Sequence, residues 1–145
     1  MSVQIALTPL MINMQECIFC KIVAGKMPSY KIYEDKEYLA FLDIRPLNPG
    51  HTLVIPKKHY RWVWDDPNID RYYKVVGRIA NTLKKAFKTE MIASIVLGGE
   101  VFHAHVWLIP RFVNDGHGGY INFKAVKKFS ETDMKKAAEL IKKAL

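Results

Sequence analysis

The run Val101-Phe102-His103-Ala104-His105-Val106-Trp107-Leu108-Ile109-Pro110-Arg111 decides how this chain is read. Side chains alternate across a β-strand. A strand over 102–109 therefore puts His103, His105 and Trp107 on one face and sends Phe102, Ala104, Val106 and Leu108 into a core on the other. A His-x-His pair on a strand has two usual functional meanings, adjacent metal ligands or a nucleophile beside an auxiliary group. The third reading is two hydrogen-bonded histidines without a function.

Working outward, Met91 to Leu97 is a second β-like run, separated from the first by Gly98-Gly99. From Ile69 the period changes. Ile69, Tyr72, Tyr73, Val76, Ile79, Ala80, Leu83 and Phe87 recur at helical intervals, with Arg71, Lys74, Lys84, Lys85 and Lys88 largely elsewhere, which predicts a central helix. Further upstream, Lys31-Ile32-Tyr33, Tyr38 to Leu42 and His51 to Ile55 read as short strands. The loop Arg45-Pro46-Leu47-Asn48-Pro49-Gly50 interrupts them, and Pro56 stops the last. Ser130 is a good N-cap for a C-terminal helix with apolar positions Met134, Ala137, Ala138, Ile141 and Leu145. Five strands and two helices in this order predict an α+β fold on a mostly antiparallel sheet. With no repeat, low-complexity tract or Ser/Gly-rich linker, residues 1–145 read as one domain.

Composition narrows the function. Lysine and arginine number 22 against 14 acidic residues, a formal charge of +8, which favours polyanionic ligands from nucleotides to nucleic acid; solvated helix faces supply part of that excess. No apolar stretch approaches the roughly 20 residues that span a membrane. The segment 1–14 lacks a basic start and a small-residue cleavage pattern, and it reads as a loose N-terminal extension, with Met11 or Met14 as alternative starts. The only cysteines, Cys17 and Cys20 in Cys-Ile-Phe-Cys, favour a metal site or a redox motif in a reducing, cytoplasmic setting over a structural disulfide.

Three blocks then act together: Cys17-Ile-Phe-Cys-Lys-Ile-Val-Ala-Gly25, the stretch from Phe41-Leu42-Asp43-Ile44-Arg45-Pro46 through Gly50-His51-Thr52-Leu53-Val54-Ile55-Pro56-Lys57, and Phe102 to Arg111. In order and spacing they resemble the histidine-triad (HIT) superfamily, specifically its small branch of purine-nucleotide-binding hydrolases. The resemblance implies that His105, the middle histidine of the pattern, is the nucleophile, with His103 and Trp107 at the flanking triad positions. Its substrate would be a purine nucleotide, either a phosphoramidate or a dinucleoside polyphosphate, cleaved to the mononucleotide through a nucleotidyl-histidine intermediate. It further implies that Asp43 binds ribose hydroxyls, that Phe41, Ile18 and Phe19 lie near the base, and that His51 lies beside the triad. Gly99 falls at a phosphate-binding position. Relatives with Cys-x-x-Cys hold structural zinc, and carried over residue by residue the ligands are Cys17, Cys20, His51 and His103. The chemistry itself needs no cofactor. A homodimer is the usual assembly.

The chain departs from the pattern at three places. Trp107 replaces the third histidine, and an indole N–H donates but neither accepts nor titrates. Ile92 stands where the family has a phosphate-binding asparagine, and Gly99 where it has a glutamine. Losing one preorganised donor costs about 3–4 kcal/mol of transition-state stabilisation. Two alternatives therefore stay open: a nucleotide-binding protein with little or no catalysis, and a zinc-stabilised interaction module that touches RNA through its basic face.

Overall fold

Every residue of Tyr38–Leu42 and Thr52–Pro56 is buried, and these two strands form the centre of an antiparallel sheet. The structure, a computed structural model, describes residues 16–145. Its strands are β1 (Lys31–Glu34), β2 (Tyr38–Leu42), β3 (Thr52–Pro56), β4 (Met91–Ile95) and β5 (Val106–Arg111), arranged β1-β2-β3-β5-β4 with antiparallel pairing throughout. Among the described residues three α-helices accompany the sheet: α1 (Ile18–Val23), α2 (Ile69–Phe87) and α3 (Glu131–Ala144). This is the α+β architecture expected from the order of periodic segments. The reading of residues 1–14 as a loose extension lies outside the described residues.

The sheet buries both faces, which is why β2 and β3 are apolar at nearly every position rather than alternating with polar residues. On one face Tyr38, Ala40, Leu42, Val54, Val106 and Leu108 pack against Tyr72, Val76, Ile79 and Leu83 of α2 and against Met134, Ala138 and Ile141 of α3. On the other, Leu39, Phe41, Leu53 and Ile55 pack against Phe19 and Ile22 of α1. Helix α2 spans the 19 residues that the periodicity marks, and its Tyr72 hydroxyl donates to the Val54 carbonyl at 2.6 Å, locking the helix to β3. At α3 the Ser130 hydroxyl accepts from the Asp133 amide at 3.1 Å while Asp133 accepts from the Ser130 amide at 3.2 Å, a reciprocal cap. No helix among the described residues is long and apolar enough to cross a membrane.

Two expectations about the decisive run are corrected. Strand β5 begins only at Val106, because the Ala104 amide donates to the Tyr60 carbonyl at 2.7 Å instead of joining the ladder. Phe102 leaves the core and lies against the Arg61 guanidinium. The alternation survives this change. Ala104, Val106 and Leu108 enter the α2 side of the core, while His103 and His105 contact Phe19 of α1.

Candidate functional site

The site lies on the α1 face of the sheet, where the approach to β5 passes the ends of β3. His105 is buried, and its Nδ1–H donates to the His103 carbonyl at 2.7 Å. That bond fixes the tautomer, so Nε2 carries the lone pair. Burial pulls the His105 pKa below its ordinary value, reinforced by the charge of Arg61 and opposed by the His103 carbonyl and by Asp43. A neutral imidazole with a free Nε2 is the nucleophilic form. Phe19 holds the ring edge-on, with centroids 5.2 Å apart.

His103 is fixed the opposite way round. Its Nε2–H donates to the Pro56 carbonyl at 2.7 Å, leaving Nδ1 with the lone pair, 3.4 Å from Cys17 Sγ and 3.5 Å from Cys20 Sγ. Burial pushes the His103 pKa down to about 4, so the ring is neutral and available as a ligand. The fourth member of this cluster is His59, whose Nδ1 lies 3.3 Å from Cys20 Sγ. Short helix α1 brings the two sulfurs together, since Cys17 is its N-cap and accepts from the Cys20 amide at 3.4 Å. One donor atom from each of Cys17, Cys20, His59 and His103 lies within 4.8 Å of all the others.

The residues present fit a zinc ion. Zinc takes thiolate at about 2.3 Å and imidazole at about 2.0–2.1 Å in a tetrahedron, which separates sulfur from nitrogen by about 3.5 Å. The observed sulfur–nitrogen separations of 3.3–3.5 Å match that spacing. Burial, with Cys17 beside it, pushes the Cys20 thiol up to about 12, so a bound cation is what would draw out its proton. Both cysteines are free thiols.

His51 does not belong to this set, which corrects the ligand assignment made from the resemblance. Its Nδ1 accepts from the Leu47 amide at 3.1 Å, its Nε2 lies 3.6 Å from Asp43 Oδ2, and its ring packs 4.9 Å from that of Trp107. The cause is antiparallel register. Thr52 pairs with Leu108 and Val54 with Val106, so the start of β3 faces the far end of β5. The chain beyond Pro56 meets His103 instead, and His59 lies there. The signal was present in the sequence, within the basic run Lys57-Lys58-His59-Tyr60-Arg61, but it needed a register to be heard.

The remaining predicted residues fall around His105. Asp43 spends Oδ1 on the Arg45 amide at 2.8 Å, a turn carboxylate, and turns Oδ2 toward His51. Phe41 and Phe19 are buried edge-to-face at 5.6 Å, whereas Ile18 is 38% exposed at the rim. Trp107 is wedged between His51 and Phe123, whose centroid is 6.0 Å away. Ile92 packs toward the core on the α2 side, and Gly99 is exposed with open space where a side chain would stand. Neither supplies a phosphate donor from its side chain. His117, in the loop after β5, is buried: its Nε2–H donates to the Leu47 carbonyl at 2.8 Å and Nδ1 accepts from the Asn122 amide at 3.1 Å.

A family model described as the HIT domain matches residues 24–114, more than half of the chain. The chain belongs to the HIT family. It is 45% identical over 140 residues to an uncharacterised HIT-like protein of Borreliella burgdorferi, covering 83% of this chain and 96% of that one. It is 37% identical over 134 residues to the adenosine 5′-monophosphoramidase HNT1 of Saccharomyces cerevisiae, covering 89% and 80% of the two. Among solved structures, a zinc-bound histidine-triad family protein from Mycobacterium smegmatis superposes with a TM-score of 0.74 at 31% identity, over 91% of this chain and 94% of that one.

Proposed function

We propose that this HIT protein binds purine nucleotides and hydrolyses them at the α-phosphate through a His105-nucleotidyl intermediate. The observation that carries the reading is the 2.7 Å bond from His105 Nδ1–H to the His103 carbonyl, which aims an unprotonated Nε2 at whatever occupies the face shared with Asp43. Nε2 forms a bond to the α-phosphorus while the bond to the leaving group breaks, and that group departs with the electron pair. Water then attacks the same phosphorus, the N–P bond breaks back to a neutral imidazole, and AMP leaves. In this reading Asp43 Oδ2 accepts a ribose hydroxyl, and Ile18 with Phe19 forms an apolar edge for a purine. The activity carried in the yeast relative's name supports this class of reaction.

Incubation of the wild-type protein with adenosine 5′-phosphoramidate and, separately, diadenosine tetraphosphate tests the reading by chromatography of the products. Release of AMP from at least one is expected. Tight AMP binding without any turnover would convert the protein into a nucleotide carrier, the outcome favoured by the missing donors at Ile92 and Gly99.

Zinc held by Cys17, Cys20, His59 and His103 belongs to the same proposal, and the zinc-bound neighbour supports it. Four protein ligands make a closed structural site, and the ion would tie α1 to the segment that carries His105. His59→Ala is expected to lose bound zinc, and His51→Ala to keep about one ion per chain, measured by atomic emission on protein purified in parallel. Zinc lost from His51→Ala and kept in His59→Ala would restore the assignment made from the resemblance. A second copy across the open edge of β4, where Met91 is 59% exposed, would complete the homodimer usual in the family.

A further inference from the structure

Arg61 is held in the fold without being used by it. Its guanidinium carbon lies 3.8 Å from the ring centroid of Trp62 and 4.1 Å from that of Phe102, so the planar group is sandwiched between two aromatic faces. Nε and Nη1 are buried and have no hydrogen-bond partner among the described residues. The acid that acts on it, Asp65, turns Oδ2 to the Trp62 amide at 3.0 Å. Buried donors left unmade cost free energy, and a guanidinium pinned between rings has already lost its conformational freedom. The guanidinium is thereby fixed in place, and Nη2, which is not among the buried unpartnered atoms, is the edge left for an acceptor that arrives from outside.

Its position gives that acceptor an identity. The 2.7 Å bond from the Ala104 amide to the Tyr60 carbonyl runs residues 60–62 alongside 102–104, the backbone that presents His103 and His105. A Cβ on Gly98 would lie 3.3 Å from Arg61 Nη1 and 2.6 Å from Trp62, so Arg61 also borders the Gly98-Gly99 turn, which has no side-chain donor. At the third triad position Trp107 has an N–H but no proton to transfer. A site with a fixed cation and no acid at that position suits a leaving group that departs as a stable anion.

We propose that Arg61 is a specificity-determining residue that binds the group attached to the α-phosphate, selecting nucleotides that carry a further phosphate there over those that carry a neutral amine. The inference rests on the reading of His105 as a nucleophile at that phosphate. His105 Nε2 forms the N–P bond, the bridging P–O bond breaks with both electrons going to the departing phosphate oxygen, and Arg61 N–H groups hold that charge. Water then cleaves the N–P bond and its surplus proton passes to solvent.

Calorimetric titration of the full-length, metal-loaded chain with ADP and with AMP tests the assignment, because the β-phosphate of ADP occupies the leaving-group position. The wild type is expected to prefer ADP, and in Arg61→Met the ratio of ADP to AMP affinity falls by about tenfold or more. Arg61→Lys, which keeps the charge but not the planar fork, is expected to fall between them. A merely structural role would weaken both nucleotides in the same proportion and leave the ratio where it was. That result, or a wild type that binds both nucleotides equally, overturns the role of Arg61 while leaving the nucleotide site standing. A wild type that binds neither overturns both.

Discussion

Changing His105 to alanine is expected to lower kcat/KM for nucleotide hydrolysis by at least about 1,000-fold, roughly 4 kcal/mol of transition-state stabilisation. The fold should survive. His105 contributes one hydrogen bond to a carbonyl two residues away and one edge contact to Phe19, so its truncation removes about 1–3 kcal/mol of stability. Steady-state kinetics with circular-dichroism melting separates the two quantities. His103 is the informative contrast, because its ring joins the Pro56 carbonyl to both cysteine sulfurs. His103→Ala should lose activity and thermal stability together, whereas His105→Ala loses activity first. Full turnover in His105→Ala contradicts the mechanism.

The second large effect lies away from the chemistry. Asp115→Asn is expected to destabilise the protein by about 3–5 kcal/mol, the cost of breaking a buried ion pair from one side. Asp115 Oδ2 accepts from Arg111 Nε at 2.7 Å, from the Phe112 amide at 3.0 Å and from Asn48 Nδ2 at 2.9 Å, while Oδ1 accepts from the His117 amide at 3.1 Å. Both ionic side chains are nearly inaccessible to solvent. An amide at this position turns a donor toward Arg111 and leaves a buried cation without its charge partner. The network reaches the site: Asn48 precedes His51, and Lys127 Nζ bonds both the Asn48 side chain and the Asp115 carbonyl, strapping the C-terminal segment over the loop that holds Asp43 and His51.

This network also sets an acid limit. The Arg111 guanidinium holds the Asp115 carboxyl far below the usual carboxylate range, aided by the backbone amides. A depressed folded-state value means the stabilisation is fully present above the unfolded carboxyl value of about 3.9 and is lost as the pH falls below it. Wild-type melting temperature should therefore decline below about pH 4 with a component that Asp115→Asn lacks. Parallel acid slopes in the two proteins would show that Asp115 titrates normally.

Residues that repeat locally were legible in the sequence. The apolar spacing from Ile69 to Phe87 gave both ends of α2, and Ser130 marked the start of α3. Helix α1 was hidden because six residues are too few to reveal a period, although Cys17 and Cys20 lie at its N-terminal end. His51 and His59 flank the same strand, and only the pairing of β3 with β5 decides which of them meets His103. Arg61 is likewise one member of a basic run in the sequence, and only its contacts with Trp62 and Phe102 single it out. Arg111, Asp115, His117 and Lys127 were silent for a related reason, since each is ordinary alone and acquires its role through contact with the loop at 47–48.

The bond between Nε2 of His105 and the α-phosphorus is the central step of the proposed reaction. Quenching the wild-type protein with denaturant at alkaline pH during turnover of an adenosine substrate, since an N–P bond is acid-labile, followed by proteolysis without acidification and mass spectrometry, looks for that bond directly. One adenylyl group on the peptide containing His105, absent from His105→Ala, is the predicted result. AMP release by the wild type with the adduct on a different residue, or release that persists undiminished in His105→Ala, would contradict it.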